Sequence, residues 1–359
     1  MGNRDNPKDW KASETILVYK ETGLETDVAP YRPIGLANTL YKLWTRLITN
    51  TLYEHAEVNS LLSNMQAGFC KKHDTIQQLQ NVLMTLKDAK LYEQDIYALI
   101  VDFTYALNTT DHDKLRIIMF DLGLSTDAID AVKNLYYQAH TRIRLPLGCT
   151  EDIPVLERGT IQGDTLSPFL FLIYMEPLLC WLHAGNRGYM HGHADTNAHN
   201  TKAINGTSSG AFADDLICLS GSYQNPQLQT MKLTQYADWA HLIILGKKTK
   251  VHSDENKILR GNTSVADFAH HQLANKVLVQ GQAAQFLKPD DPFPYLGVHI
   301  KMDLNWSHQL THRTTMLSLK LERLKSSFAS PKQTMDIIRT AIVPSIATLF
   351  QLPLAPQVS

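Results

Sequence analysis

Residues 211–220 read AFADDLICLS. An apolar strand signal runs into two adjacent aspartates and out again into a second apolar run, the pattern of a β-hairpin with acid at its turn. A carboxylate inside apolar strand is costly unless something pairs with it. Two adjacent carboxylates repel, and one holds its proton unless a cation is bound. Upstream, residues 96–103 read IYALIVDF. This apolar run is continuous, as in a strand covered on both faces, and it too meets an aspartate, Asp102. Three carboxylates from two strands, Asp102, Asp214 and Asp215, suit Mg2+, a hard ion that takes a few carboxylates together with substrate phosphates. The matching chemistry is two-metal phosphoryl transfer. A plain exposed turn also accepts two aspartates, so the rest of the chain has to decide.

The chain has 359 residues, room for roughly two domains and a substantial core. With 44% hydrophobic and 19% charged residues it is not a disordered sequence. Its net charge of −1 excludes a polycation, so any nucleic-acid binding needs local basic patches. The cysteines, at 70, 149, 180 and 218, form no CxxC. A disulfide framework and a cysteine zinc site are disfavoured, and reduced thiols fit an intracellular protein. The first residues, MGNRDNPKDWK, lack the apolar stretch of a signal peptide. The most apolar segment, 168–182, is short for a membrane span and is broken by Glu176-Pro177.

Around the acidic strands, helix and strand signals alternate. Residues 14–20 suggest a strand. Residues 36–56 read as a helix, with Leu40, Leu43, Trp44 and Leu47 at i, i+3, i+4 and i+7. Further helices are expected at 75–88, at 110–122 and from a Ser125 cap to about 139, with Gly123 as the stop between the last two. Residues 141–147 and 153–157 suggest a hairpin around Gly148. Ser167-Pro168 starts a helix as N-cap and first turn. Residues 184–210 read as a surface loop, 226–240 as a helix, 295–300 as a strand, and 307–350 as helical.

Taken in order, these segments resemble the reverse transcriptase domain of non-LTR (LINE-type) retrotransposons, from about residue 9 to about 345. DWKASETILVYK (9–20) is similar to the family's first finger strand, and YRPIGLANTLYKLWTRLI (31–48) to its YRPISL…YK block. QAGFCKKHDTIQQL (66–79) resembles QxGFRxGRSTxDQ. DFTYALNTTDHDKL (102–115) looks like the first catalytic block, RGTIQGDTLSPFLFLIYMEPLL (158–179) resembles RGVRQGDPLSPxLF, and FADD is the second catalytic block. LIILGKKTKV (242–251) resembles the lysine-bearing loop and YLG (295–297) the primer-grip turn. One FADD is weak; the blocks in order are specific.

The resemblance implies an α/β (α+β) right-hand polymerase: fingers over 1–92, a palm of antiparallel sheet plus helices over 93–300 with finger contributions from about 121–157, and a truncated helical thumb over 301–359. It implies RNA-directed DNA polymerase activity on an RNA template, a DNA primer and deoxyribonucleoside triphosphates. Two Mg2+ ions, replaceable by Mn2+, would sit on Asp102, the Phe103 carbonyl, Asp214 and Asp215. Lys20 and Arg32 would clamp the triphosphate. Gln162 and Gly163 would support the templating base and the incoming nucleotide, Lys248 would act as general acid toward pyrophosphate, and Tyr295, Leu296 and Gly297 would hold the primer end. A nuclear location follows from the family alone. Residues 301–345 carry Lys301, Arg313, Lys320, Arg323, Lys325, Lys332 and Arg339 against Asp303, Glu322 and Asp336, 7 − 3 = +4, which suits duplex backbone contact.

Several positions depart from the pattern. D-x-x-K-A-F-D is here Asp102-Phe-Thr-Tyr105-Ala-Leu107-Asn108. Leu107 stands where an aromatic ring would exclude a 2′-OH. Cys70 replaces Arg, with Lys71 and Lys72 beside it; Thr165 replaces Pro; His241 stands for Gly and Leu245 for Asn. The 15 histidines include His183, His191, His193 and His199, at a spacing that matches no zinc pattern. His112 fits a structural role at a helix start. No endonuclease, RNase H or zinc-knuckle segment is recognisable. Two readings of activity stay open: a working polymerase, or a catalytically inactive remnant that at most binds nucleic acid. A palm-fold nucleotide cyclase is disfavoured by the finger and thumb blocks.

Overall fold

The strand expected at 14–20 forms over Ala12–Tyr19 and pairs on both sides. The computed structural model describes residues 7–345, apart from 21–23, 25, 28–29, 71–72, 156–157, 161–162, 185–187, 193–205, 208, 223, 255–276 and 289. It divides into two units, Met1–Phe69 with Phe103–Trp181 and Lys232–Ile244, and Cys70–Asp102 with Leu182–Met231 and Leu245–Ser359.

In the first unit, Ala12–Tyr19 lies between Tyr31–Ala37, antiparallel, and His140–Leu145, parallel. The hairpin expected around Gly148 is present but turns one step earlier. Leu145 pairs with Gly148, so the turn is Pro146-Leu147, and Ile153–Pro154 joins the other end of the same strand. The Ser167–His183 helix is apolar on every side, and such a helix belongs in a core. Phe169 through Met175 are fully buried. Its single acid, Glu176, is buried as well, accepting from the Ser63 amide at 3.0 Å and from the Cys180 thiol at 3.0 Å. Burial holds its carboxyl above the usual range. Among the described residues no helix is long and apolar enough to cross a membrane.

The Thr39–Val58 helix forms where its periodicity indicates, but the stripe that reveals it is not the buried face. Leu40, Leu43, Trp44 and Leu47 are exposed, while Tyr41, Thr45, Thr49, Leu52 and Ala56 are buried. The inward face is chosen for hydrogen bonding as much as for apolar area, as the site below makes plain.

In the second unit a five-stranded sheet runs in the order Ser209–Phe212, Asp215–Ser220, Ile96–Val101, Lys250–Asp254, Gln285–Phe286. The Thr75–Leu91 helix, capped by Asp74 through the Gln77 amide, contributes Leu79, Val82, Leu83 and Leu86 to one core with Ile96, Ala98, Ile217, Leu219, Phe293 and Ile300. Two expectations are corrected here. Residues 295–300 are not one strand but a hairpin, Phe293–Tyr295 with Val298–Ile300, turning at Leu296-Gly297, both at positive φ (47° and 76°). The 184–210 segment is not all surface loop: Tyr189 pairs with Thr207 and is fully buried, its hydroxyl donating to Asp88 at 2.8 Å. The Ser307–Lys325 helix buries only Gln309; a capping box at Ser330 and Gln333 then starts Pro331–Ile337.

Candidate active site

Strand register brings the three sequence-predicted carboxylates to one end of the second unit's sheet. Phe212 pairs with Asp215, so Ala213-Asp214 is the two-residue turn of the hairpin, with Ala213 at φ 57°. The outgoing strand pairs antiparallel with Ile96–Val101, Leu216 opposite Val101. The next residue outward on each strand is an aspartate, Asp215 and Asp102. Although Asp215 keeps a solvent-exposed surface, its carboxyl is pushed up to about 6, first by burial and then by the charges of Asp214 and Asp102. Among the described residues no three His, Cys, Asp or Glu side chains are gathered closely enough to hold a metal ion. The charges of Asp214 and Asp102 nevertheless reach Asp215, and a hard divalent ion is the kind of partner that relieves such repulsion.

The sign of that repulsion is testable. An acid whose folded pKa is raised opposes folding once ionised, so this group costs stability as pH rises from its ordinary 3.8 through about 6. Asp214→Asn removes one neighbouring charge. The Asp215 carboxyl should then titrate below about 6 in a carbon NMR titration. An unmoved midpoint would mean that the two carboxylates do not face each other.

Lys248 reaches the same end of the sheet. Leu245 donates its amide to the Asp102 carbonyl at 3.3 Å, and the Lys248 and Thr249 amides return to the Leu245 carbonyl at 3.0 and 2.8 Å. This turn puts Lys248 Nζ 3.7 Å from Asp102 Oδ1. Both side chains are exposed, so the pair adds little stability. Gly246 admits no side chain, since a Cβ would fall 2.5 Å from Gln282 Cβ. Of the YLG turn, Gly297 is exposed, while Leu296 is partly buried against the core. Tyr295 is buried, its hydroxyl 3.3 Å from the Gly210 carbonyl and 3.3 Å from Gln78 Nε2. Arg313 donates to the Gly297 carbonyl at 2.5 Å, tying the turn to the Ser307–Lys325 helix.

In the first unit, Val18 pairs with Arg32, which puts Val18, Lys20 and Arg32 on one face of the hairpin, all exposed. Lys20 Nζ lies 5.9 Å from the centre of the Tyr105 ring. Tyr105 is itself at φ 52°, heading the short Ala106–Thr109 helix that carries Leu107. The Leu107 carbonyl accepts the Thr160 amide at 2.9 Å. Gly163, at φ 102°, sits so close to the hairpin that a Cβ would meet the Gly35 carbonyl at 2.8 Å. Phe103 pairs with Ile244 and buries its ring. Gln162 lies outside the described residues, as do Lys71, Lys72, His193 and His199.

A family model described as reverse transcriptase (RNA-dependent DNA polymerase) matches residues 20–300, a span that includes the three aspartates, Lys20 and Arg32. The chain belongs to the reverse transcriptase family. It is 25% identical, over 89% of its length, to a probable RNA-directed DNA polymerase from transposon BS of Drosophila melanogaster, covering 32% of that protein. To a Pol polyprotein of the type-1 retrotransposable element R2 of Nasonia vitripennis it is 23% identical over 94% of its length, covering 30% of that protein. The chain thus spans about a third of each. Among solved structures it resembles apo telomerase from Candida tropicalis, with a TM-score of 0.54 and 11% identity over 98% of this chain and 59% of that one, a likeness of fold. The resemblance to non-LTR elements is borne out by these relatives, and the reverse transcriptase family uses divalent metals.

Within this reverse transcriptase, sequence reading missed three contacts. Asp111, N-cap of His112–Asp121, is held by His241 at 2.8 Å, with Arg158 4.0 Å away. Burial raises the Asp111 carboxyl, but the Lys114 and Asp113 amides and His241 outweigh it, leaving it below the usual range. His112 Nε2 donates to the Gly159 carbonyl, 2.7 Å away, in keeping with a structural role. Tyr105 under Lys20 is the second contact and Asp164, below, the third. All three join residues far apart in sequence, where no local pattern announces them.

Proposed function

We propose that this chain is the polymerising domain of a non-LTR retroelement, copying RNA into DNA from a DNA primer with deoxyribonucleoside triphosphates. The observation that carries the reading is the convergence of Asp102 and Asp214 on Asp215, felt as a carboxyl raised to about 6. In this reading Asp102, Asp214, Asp215 and the Phe103 carbonyl hold two Mg2+ ions, with Mn2+ as a substitute; the ions would supply charge neutralisation at the attacking hydroxyl and the triphosphate. Lys20 and Arg32 bind the triphosphate from the hairpin face. Lys248, beside Asp102, offers a proton to the departing pyrophosphate. Gln162 and Gly163 orient the nucleotide, while Leu296 and Gly297 present backbone to the primer end. Fingers, palm and thumb fall at 1–92, 93–300 and 301–359, and the family points to action in the nucleus. Primer extension by the purified chain on an RNA template, with Mg2+ or Mn2+, tests the reading. Binding of template–primer without extension would instead identify an inactive remnant.

The thumb assignment has its own test. Lys301 is paired with Asp290 and Asp303, and Arg313 serves the Gly297 carbonyl, so neither is available to a phosphate. Arg323 and Lys325, exposed in the last turn of their helix, are. Neutralising a duplex phosphate contributes about −0.9 to the slope of log K against log salt. Arg323→Ala with Lys325→Ala should flatten the measured slope by up to about two such increments; an unchanged slope would place the duplex elsewhere.

A further inference from the structure

Asp164 is 4% exposed and is surrounded by donors. Its Oδ1 accepts from the Thr45 hydroxyl at 2.7 Å and from the Thr165 amide at 2.7 Å. The Leu166 amide also donates to it, and the Tyr41 hydroxyl lies 3.4 Å from Oδ2. Burial nonetheless keeps its carboxyl above the usual range. A group so costly to bury is retained when its bonds fix something in place. What they fix is visible on either side. Thr45 and Tyr41 belong to the inward face of the Thr39–Val58 helix, the polar face that displaces the leucine stripe to the outside. Gly163, the neighbour of Asp164, lies so close to the Tyr31–Ala37 strand, which carries Arg32, that a Cβ there would meet the Gly35 carbonyl at 2.8 Å and the Ile34 side chain at 3.5 Å.

We propose that Asp164 is a positioning residue for the incoming nucleotide: anchored to Tyr41 and Thr45, it holds the Gly163 turn against the strand that presents Arg32. The inference rests on the nucleotide-binding reading of Arg32 and Gly163. It also gives a reason for Thr165. Proline, the family's usual residue there, has no N–H. Threonine supplies an amide to Asp164 and a hydroxyl 3.1 Å from that of Thr45, so the turn gains two bonds in place of a stiff ring.

The opposing interpretation is that Asp164 merely anchors the start of the Ser167–His183 helix. Kinetics separate the two. Thr45→Val keeps the shape of the side chain and deletes the donor. It should raise KM for deoxyribonucleotide about tenfold, because misplacing a positioning element by about 1 Å costs up to about 10²-fold. The kcat should stay within about threefold, and template–primer affinity should not change. Thr45→Ser, which keeps the hydroxyl, should restore the parent KM, and Asp164→Asn should shift KM in the same direction as Thr45→Val. A parallel readout is the Kd of dNTP for a complex with a dideoxy-terminated primer. If Thr45→Val lowers melting temperature, kcat and duplex affinity together while KM and the dNTP Kd hold, Asp164 is only a structural anchor and the proposal is overturned. If the parent complex binds no dNTP at all, the nucleotide-binding reading itself fails, and the positioning role with it.

Discussion

Asp214→Ala should abolish primer extension while template–primer binding stays within about threefold of the parent. In the proposed reading Asp214 is a metal ligand, and a bound metal ion supplies several kcal/mol of transition-state charge stabilisation. Each 1.36 kcal/mol is a factor of ten in rate, so the loss of one ligand at the hairpin turn should cost about 10³-fold or more. Duplex binding depends on phosphate contacts, and deleting a carboxylate removes none. The substitution also deletes a like charge beside Asp215, which relieves repulsion at the turn. Steady-state extension on an RNA template and anisotropy with the same duplex measure the two quantities. Extension within tenfold of the parent would exclude Asp214 from the chemistry. A joint loss of extension and binding, with a lowered melting temperature, would show damage to the hairpin instead.

The acidic strands were legible in the sequence because their physics is local. Apolar runs interrupted by aspartate mark both strand and site, and the register needed only pairing to bring Asp102 beside Asp215. The Thr39–Val58 helix shows the limit of such patterns. Periodicity reported the helix correctly, yet the partner face is the one bearing Tyr41 and Thr45, because the buried Asp164 needs donors. The Phe293–Tyr295 hairpin was read as one strand since a two-residue turn at positive φ leaves little trace when it contains a leucine.

The departures from the family pattern also acquire physical content. Tyr105 lies under Lys20, His241 binds Asp111 from a left-handed backbone position, and Thr165 bonds Asp164. Primer extension, not these contacts, separates a working polymerase from a remnant, and among the departures Leu107 is the one whose change removes an aromatic ring.

Leu107→Phe should increase the preference for deoxyribonucleotides over ribonucleotides by about 1–3 kcal/mol, the scale of one hydrophobic pocket contact. An aromatic ring here would offer a flat, rigid wall to the 2′ carbon of the sugar. Leucine is smaller and turns about two χ angles, so the wall recedes. An apolar pocket rejects an added hydroxyl by only about 10² at best, and losing part of the pocket wall should lower that. The backbone is already fixed for the test. The Leu107 carbonyl is bound to Thr160, and Gly159 fits against Asn108 so closely that a Cβ would meet its carbonyl at 2.9 Å. The Leu107 side chain is half-buried, leaving a part that a sugar can meet. The measurement is kcat/KM for dNTP over rNTP in the parent and in Leu107→Phe, on one RNA template and primer. Equal ratios would mean that the sugar does not touch position 107. A larger ratio in the phenylalanine variant, arising from slower ribonucleotide use at unchanged deoxyribonucleotide kcat/KM, identifies the wall: only a clash confined to the 2′ position penalises one sugar and spares the other.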